Sequence, residues 1–256
     1  MTNNEFAGQS IVITGAAGGI GAATAERFAH DGAKVALLDI NVEAARGLAS
    51  QLPDAMALEV DVTNPSSCRA AIEQVSSEWG GVDVLVNNAG VTHISKFVDT
   101  EVDVLRRVMD INFWGSVYCT DAALPSLIER GGRIVVISSI AGFAPLVLRT
   151  GYSASKHALH GFFESLRSEL VDTEVSVTMV CPFLVRTGIK DLVGTTGRTE
   201  SGNIAEPAAI ASEIFDATLA RERLLLPSDE SRAAYDLSRS DPAGFEEIML
   251  ATMTTD

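Results

Sequence analysis

The stretch Ser10-Ile11-Val12-Ile13-Thr14-Gly15-Ala16-Ala17-Gly18-Gly19-Ile20-Gly21 decides how this chain folds. An apolar run without alternation reads as a strand buried on both faces. Glycines then turn the chain, and Ile20, Ala23, Ala25, Phe28 and Ala29 follow at helical spacing. A strand, a glycine turn and a helix in that order open a parallel β-α-β unit.

Working outward, the alternation continues. Residues 34–39 carry Val35, Leu37 and Leu38 and read as a second strand, with a helical pattern to about Ser50. Residues 56–61 read as a third strand, and Pro65 stands where a helix should begin. Further strands are expected over 82–86, 132–137 and 175–180, and helices over 101–129 and 152–170. The pattern predicts a Rossmann-type, doubly wound parallel sheet in a single α/β domain over residues 1–256. The Gly- and Thr-rich stretch 187–207 lacks periodicity and reads as a substrate loop. With the C-terminal segment 224–256, which carries no transferable motif, it is expected to set specificity.

The composition narrows the function. The 256 residues are 46% hydrophobic, ample for one core, and carry a net charge of −15. An acidic surface argues against a nucleic-acid partner. No apolar run reaches membrane-spanning length, and the polar start Met1-Thr2-Asn3-Asn4-Glu5 is unlike a signal peptide, so a soluble cytoplasmic protein is expected. Cys68, Cys119 and Cys181 are too scattered for a disulfide ladder or a metal knuckle, and four scattered histidines suggest no zinc site.

The glycine turn Gly15-x-x-Gly18-Gly19-Ile20-Gly21 lets a pyrophosphate approach the free N–H groups of a helix N-terminus. A tight turn without ligand is the plainer alternative. Asp39 ends the second strand, followed by Ile40, about where a carboxylate can accept both adenosine ribose hydroxyls. It would repel a 2′-phosphate by about 4 kcal/mol at 4 Å and an effective dielectric of 20. No Lys or Arg compensates nearby, so NAD is favoured over NADP; a helix-capping role is the competing reading of Asp39.

Tyr152 and Lys156 stand one helical turn apart. A nearby ammonium favours the phenolate, help that a phenol with an ordinary pKa of about 10 needs. Here the chain resembles the short-chain dehydrogenase/reductase family, in its single-domain branch of this length. The resemblance runs from the first strand to about Thr187 and rests on the glycine turn, Asp61-Val62, Asn87-Asn88-Ala89-Gly90, Asn112, Ser138-Ser139, and Tyr152 with Lys156. It selects Ser139, thirteen residues before the tyrosine, over Ser138.

The resemblance implies an NAD-dependent oxidoreductase interconverting a secondary alcohol and a ketone, with a catalytic set of Asn112, Ser139, Tyr152 and Lys156. Tyr152 acts as general acid/base, Ser139 binds the substrate oxygen, and Asn112 holds a water linking Lys156 to solvent. Cofactor contacts are expected from Gly15, Gly19, Ile20, Gly21, Asp39, Ile40, Asp61, Val62, Asn88, Ala89, Gly90, Tyr152, Lys156, Pro182, Val185 and Thr187. A dinucleotide sensor without turnover is the alternative. The resemblance also implies a homotetramer pairing the helices of Asn112 and Tyr152, where Phe113, Trp114, Phe162, Phe163 and Leu166 add bulky apolar side chains.

Phe183 departs from the family pattern, which has glycine after the proline. Its ring is expected in the substrate cavity, with the core beneath as the alternative. His157 and His160 read as packing or interface residues. His93 is a candidate border of the substrate pocket, and Arg149 either touches substrate or is solvated.

Overall fold

The computed structural model describes residues 4–193 and 204–251. Ser10–Thr14 forms β1, buried along its whole length. Its side chains alternate between two cores, Val12 joining one and Ile11 and Ile13 the other, as the two-residue repeat of a strand requires. β1 pairs in parallel with β2 (Lys34–Asp39) on one side and β4 (Val84–Asn87) on the other. With β3 (Ala55–Glu59), β5 (Arg133–Ile137), β6 (Ser176–Val180) and β7 (Leu224–Leu225), the sheet has the order β3-β2-β1-β4-β5-β6-β7. The winding reverses between β1 and β4, and a crevice opens there at the carboxyl ends of the strands.

Helices α1 (Gly19–His30), α2 (Val42–Ala49) and α7 (Pro207–Ala220) cover one face. On the other lie α3 (Pro65–Trp79), α5 (Gly115–Arg130) and α6 (Thr150–Glu169), with α4 (Val102–Met109) packed against α6. Pro65 occupies the first turn of α3, as expected, and the Asn64 side chain caps it by accepting from Ser66 N and Ser67 N.

Several boundaries differ from the sequence reading. The third strand stops at Glu59 because Asp61 bends the chain, accepting from Thr63 N at 2.9 Å. The fourth starts at Val84; Val82 N instead donates to Ser126 Oγ at 2.7 Å. The helix expected over 101–129 contains a π-helical turn, Asp110–Trp114, between α4 and α5.

The C-terminal segment folds into α8 (Asp229–Ser240) and α9 (Pro242–Ala251). Ala234 and Phe245 form a satellite core with Ile140 and Ala144 over the crevice mouth. Within the expected loop 187–207, residues 194–203 lie outside the described residues, as do 252–256 of the C-terminal segment. The flanks of that loop are stitched down by Lys190 O and Leu192 N to Thr92, and by Leu184 O and Arg186 N to Ala205.

Candidate active site

The glycine turn holds its shape for steric reasons. Gly15 and Gly19 adopt φ of +62° and +55°, where a side chain is strained. A Cβ on Gly15 would lie 2.8 Å from Ala89 Cα, and one on Gly21 2.3 Å from the Gly15 carbonyl oxygen. Gly21 therefore packs beneath the turn and does not line the cleft, whereas Gly15, Gly19 and Ile20 do. Gly18, part of the quoted glycine turn but not among the expected cofactor contacts, precedes α1 in extended conformation with open space beside it. The N-terminus of α1 thus opens onto the cleft, with room and donors for a pyrophosphate.

Short polar side chains lock the neighbouring strand ends together. Thr14 Oγ1 accepts from Asn88 N and Ala89 N, each at 3.0 Å. Asn88 Nδ2 donates to Thr14 O and Gly15 O, each at 2.9 Å. Thr14 went unnoticed in the sequence because its partners are more than seventy residues away.

Asp39 stands at the end of β2 with its carboxylate pinned. Oδ2 accepts from Ala17 N at 2.9 Å and Oδ1 from Asn41 N at 2.8 Å. Asn41, not Asp39, caps α2. Ile40 is 63% exposed at the cleft edge. The Asp61 carboxyl is held below the ordinary carboxylate range, chiefly by the Thr63 hydroxyl at 2.7 Å, with Arg107 adding a smaller pull. Val62, Asn88, Ala89 and Gly90 line the same wall.

Ser139, Tyr152 and Lys156 line this cleft too, a space of about 1060 Å³. Ser139 ends the segment after β5; its Oγ accepts from Ala141 N at 3.2 Å and so caps the short turn Ile140–Gly142. Lys156 is buried, and its Nζ donates to the Ile137 carbonyl at 2.8 Å while standing 5.6 Å from the Tyr152 ring centre. Burial pushes the ammonium down to about 8.

Asn112 sits in the π-helical turn, behind the cleft wall rather than on it. Its Nδ2 donates to Val91 O and Ser155 Oγ, both at 3.0 Å, and its Oδ1 accepts from Val91 N at 2.8 Å. Both amide hydrogens are committed, so the residue ties the loop after β4 to α6.

Pro182, Phe183, Leu184, Val185 and Thr187 form the opposite wall. Phe183 avoids positive φ and takes up both expected destinations, lining the cleft and packing on the satellite core of Phe245 and Ile140. Arg149 lines the cleft, as do Ile94, Leu146, Lys190 and Met249, which carried no sequence signal. His93 does not border the cleft: it is fully buried, burial pushes its pKa down, and neither ring nitrogen has a hydrogen-bond partner among the described residues. His157 Nδ1 bonds the Ser153 carbonyl of its own helix. Among the described residues no three His, Cys, Asp or Glu side chains gather as a metal site, and no helix is long and apolar enough to cross a membrane.

Residues 9–196 match the profile of a family described as short chain dehydrogenase. The chain belongs to the short chain dehydrogenase family. Like its members, it is an oxidoreductase acting on CH–OH groups. This short chain dehydrogenase is 36% identical over 243 residues to dehydrogenase/reductase SDR family member 7B of Mus musculus, covering 88% of this chain and 75% of that one. It is 42% identical over 184 residues to 11-beta-hydroxysteroid dehydrogenase 1A of Arabidopsis thaliana, covering 68% of this chain and 52% of that one. Its fold is similar to a short chain dehydrogenase/reductase from Burkholderia phymatum crystallised in complex with NAD. The TM-score is 0.85 at 26% identity, with 93% of this chain and 95% of that one covered.

Proposed function

We propose that this enzyme interconverts an apolar secondary alcohol and its ketone with NAD, Tyr152 serving as general acid/base. The observation that carries the reading is that Ser139, Tyr152 and Lys156 converge on the cleft that the glycine turn opens. Ser139 Oγ accepts from Ala141 N, which orients the oxygen and leaves its proton for the substrate oxygen. Tyr152 then gives or takes the proton at that oxygen, and the Lys156 ammonium favours its phenolate.

The cofactor is NAD, and when bound it supplies or accepts the hydride. Gly15, Gly19 and Ile20 would hold the pyrophosphate, with Gly21 supporting the turn. Asp39 and Ile40 would face the adenosine ribose and Asp61 and Val62 the adenine. Asn88, Ala89 and Gly90 would run beside them, Lys156 would hold the nicotinamide ribose, and Pro182, Val185 and Thr187 would meet the carboxamide. The absence of Lys or Arg beside Asp39 supports NAD over NADP, as does the NAD-bound neighbour.

An apolar substrate is supported by Ile94, Leu146, Val147, Phe183 and Met249 along the cleft, and by relatives named for hydroxysteroids. NADH formation across secondary alcohols from short aliphatic to polycyclic tests the reading; no turnover with any, while NAD binds, overturns it. We assign the protein as a homotetramer, which light scattering tests. The support is the aromatic surface where Trp114, 43% exposed, stacks on Tyr118 beside Phe113 and Phe162.

A further inference from the structure

The cleft opens at the carboxyl ends of the strands. At the opposite edge of the sheet, where β6 and β7 begin, lies a second concavity of about 440 Å³. Three arginines line it: Arg167 near the end of α6, Arg221 just past α7, and Arg223 just before β7. In a chain of net charge −15 this gathering runs against the composition. Elsewhere arginines are neutralised: Arg46, Arg69, Arg106, Arg130, Arg186 and Arg232 each pair with a carboxylate. None of the three in the concavity forms an ion pair among the described residues.

Backbone carbonyls fix two of the guanidiniums. Arg167 Nε donates to Val177 O and Nη2 to Arg223 O, each at 3.0 Å. Arg221 Nη1 donates to Glu174 O at 2.5 Å and Nη2 to Gly131 O at 2.8 Å. Arg221 holds its place at φ +55°, a left-handed position after a helix where glycine or asparagine is the usual choice. A guanidinium carries five N–H donors, so Arg167 and Arg221 keep donors to spare. The exposed Arg223 spends none of its own on the described residues.

Like charges crowd together here without relief. Burial and then Arg223 push the Arg167 guanidinium down, with Glu164 opposing. Burial and then Arg221 do the same to Arg133 at the start of β5, with Asp83 opposing. Ser176, which also lines the concavity, has a buried hydroxyl with no hydrogen-bond partner among the described residues.

We infer that this concavity is a second binding site, one that takes the phosphate group of a small soluble molecule. Planar guanidinium forks match phosphate oxygens in pairs, and several around one hollow suit a doubly charged group. The volume falls in the range of small-molecule sites and exceeds what a lone phosphate fills, so an organic phosphate fits. The acidic surface around it repels extended polyanions and anionic membranes, whereas a small anion feels mainly the nearby arginines. The site stands apart from the glycine turn, so its ligand and the cofactor do not compete. It is independent of which alcohol the enzyme uses.

Inorganic pyrophosphate is the probe. Titrated calorimetrically into the NAD-saturated enzyme, whose glycine turn is then filled, it should bind saturably, and potassium chloride at equal ionic strength should not. Arg223→Gln removes a charge but no hydrogen bond of the fold. It should weaken pyrophosphate binding about tenfold or more, the worth of one charge-assisted contact, with the denaturant midpoint unchanged. Arg223→Lys should recover only part of the loss, because an ammonium lacks the fork. Absence of saturable binding overturns the site, as does equal binding by Arg223→Gln. Pyrophosphate binding that vanishes once NAD is saturating belongs to the cofactor cleft and overturns it too. Wild-type protein that sediments with phosphatidylglycerol vesicles yet ignores pyrophosphate would make the arginines a membrane contact instead. A smaller particle for Arg223→Gln in light scattering, with no pyrophosphate binding by the wild type, would make them a subunit contact. Either result overturns the soluble ligand.

Discussion

The two halves of the cleft are built in different ways. On the cofactor side the walls are strand ends, tied by backbone groups and short polar side chains: Thr14 to Asn88 and Ala89, Asp39 to Ala17 and Asn41, Asp61 to Thr63. Gly15 and Gly21 stand where a Cβ would collide with backbone. On the substrate side the walls are mostly apolar side chains, Phe183, Leu146 and Met249 among them, resting on a four-residue satellite core. The first construction accepts one ligand shape. The second can be refitted by exchanging side chains, so a common chemistry can meet different substrates without disturbing the sheet.

That contrast can be broken first where the halves meet. Tyr152→Phe should lower kcat at least a thousandfold while leaving NAD affinity unchanged by fluorescence titration, since it removes the transferable proton and little else. A variant retaining a tenth of wild-type kcat would sever the chemistry from this residue. Lys156→Met should also abolish turnover, yet stabilise the fold. Burial lowers the folded-state pKa of Lys156 to about 8, so below that pH the native state holds a buried charge at a penalty of up to about 3 kcal/mol. Wild-type stability should therefore rise as pH climbs from about 8 toward the unfolded lysine value of about 10.5. The variant's advantage in a denaturant midpoint should be greatest at pH 7 and shrink across that window; an advantage independent of pH would contradict the assignment.

On the cofactor side, Asp39→Ala should cut the NAD over NADP preference in kcat/KM about a hundredfold, mostly by losing NAD, which corresponds to nearly 3 kcal/mol. Equal use of both cofactors by the wild type would show that the pinned carboxylate does not discriminate. The smallest effect belongs to the substrate side. Phe183→Ala should broaden the range of accepted ketones at about 1–2 kcal/mol of stability, less than the 3–5 kcal/mol of a fully buried ring. An unaltered substrate profile would remove Phe183 from the pocket, and a larger stability loss would make it a core residue first.

The same division explains what the sequence disclosed. The parallel sheet was legible because each strand is an uninterrupted apolar run, and the glycine turn and the Tyr152–Lys156 pair because their meaning lies in local spacing. Strand limits at Glu59 and Val84 depended on side-chain bonds to Thr63 and Ser126, which apolar patterning does not carry. Asn112 was legible as a site residue by resemblance, but its engagement with Val91 and Ser155 joins three separate segments. His160 read as a packing residue, while its bond to Ser138, twenty-two residues away, carried no local signal. Helices α8 and α9 were not read at all, and Met249 reaches the cleft only through their packing.

The three cysteines bear on how these halves move. All are unpaired thiols with no exposed surface, and a thiol reacts with alkylating reagents only as an accessible thiolate. The native protein should therefore be silent to iodoacetamide, and each labelling event should record a local opening. Cys68 and Cys119 lie in α3 and α5 beneath Val62, under the cofactor wall, whereas Cys181 follows β6 beside Phe183 and the substrate wall. Mass spectrometry of partly alkylated protein would then time the two openings separately within one molecule, with the enzyme's own sulfur atoms as the clocks.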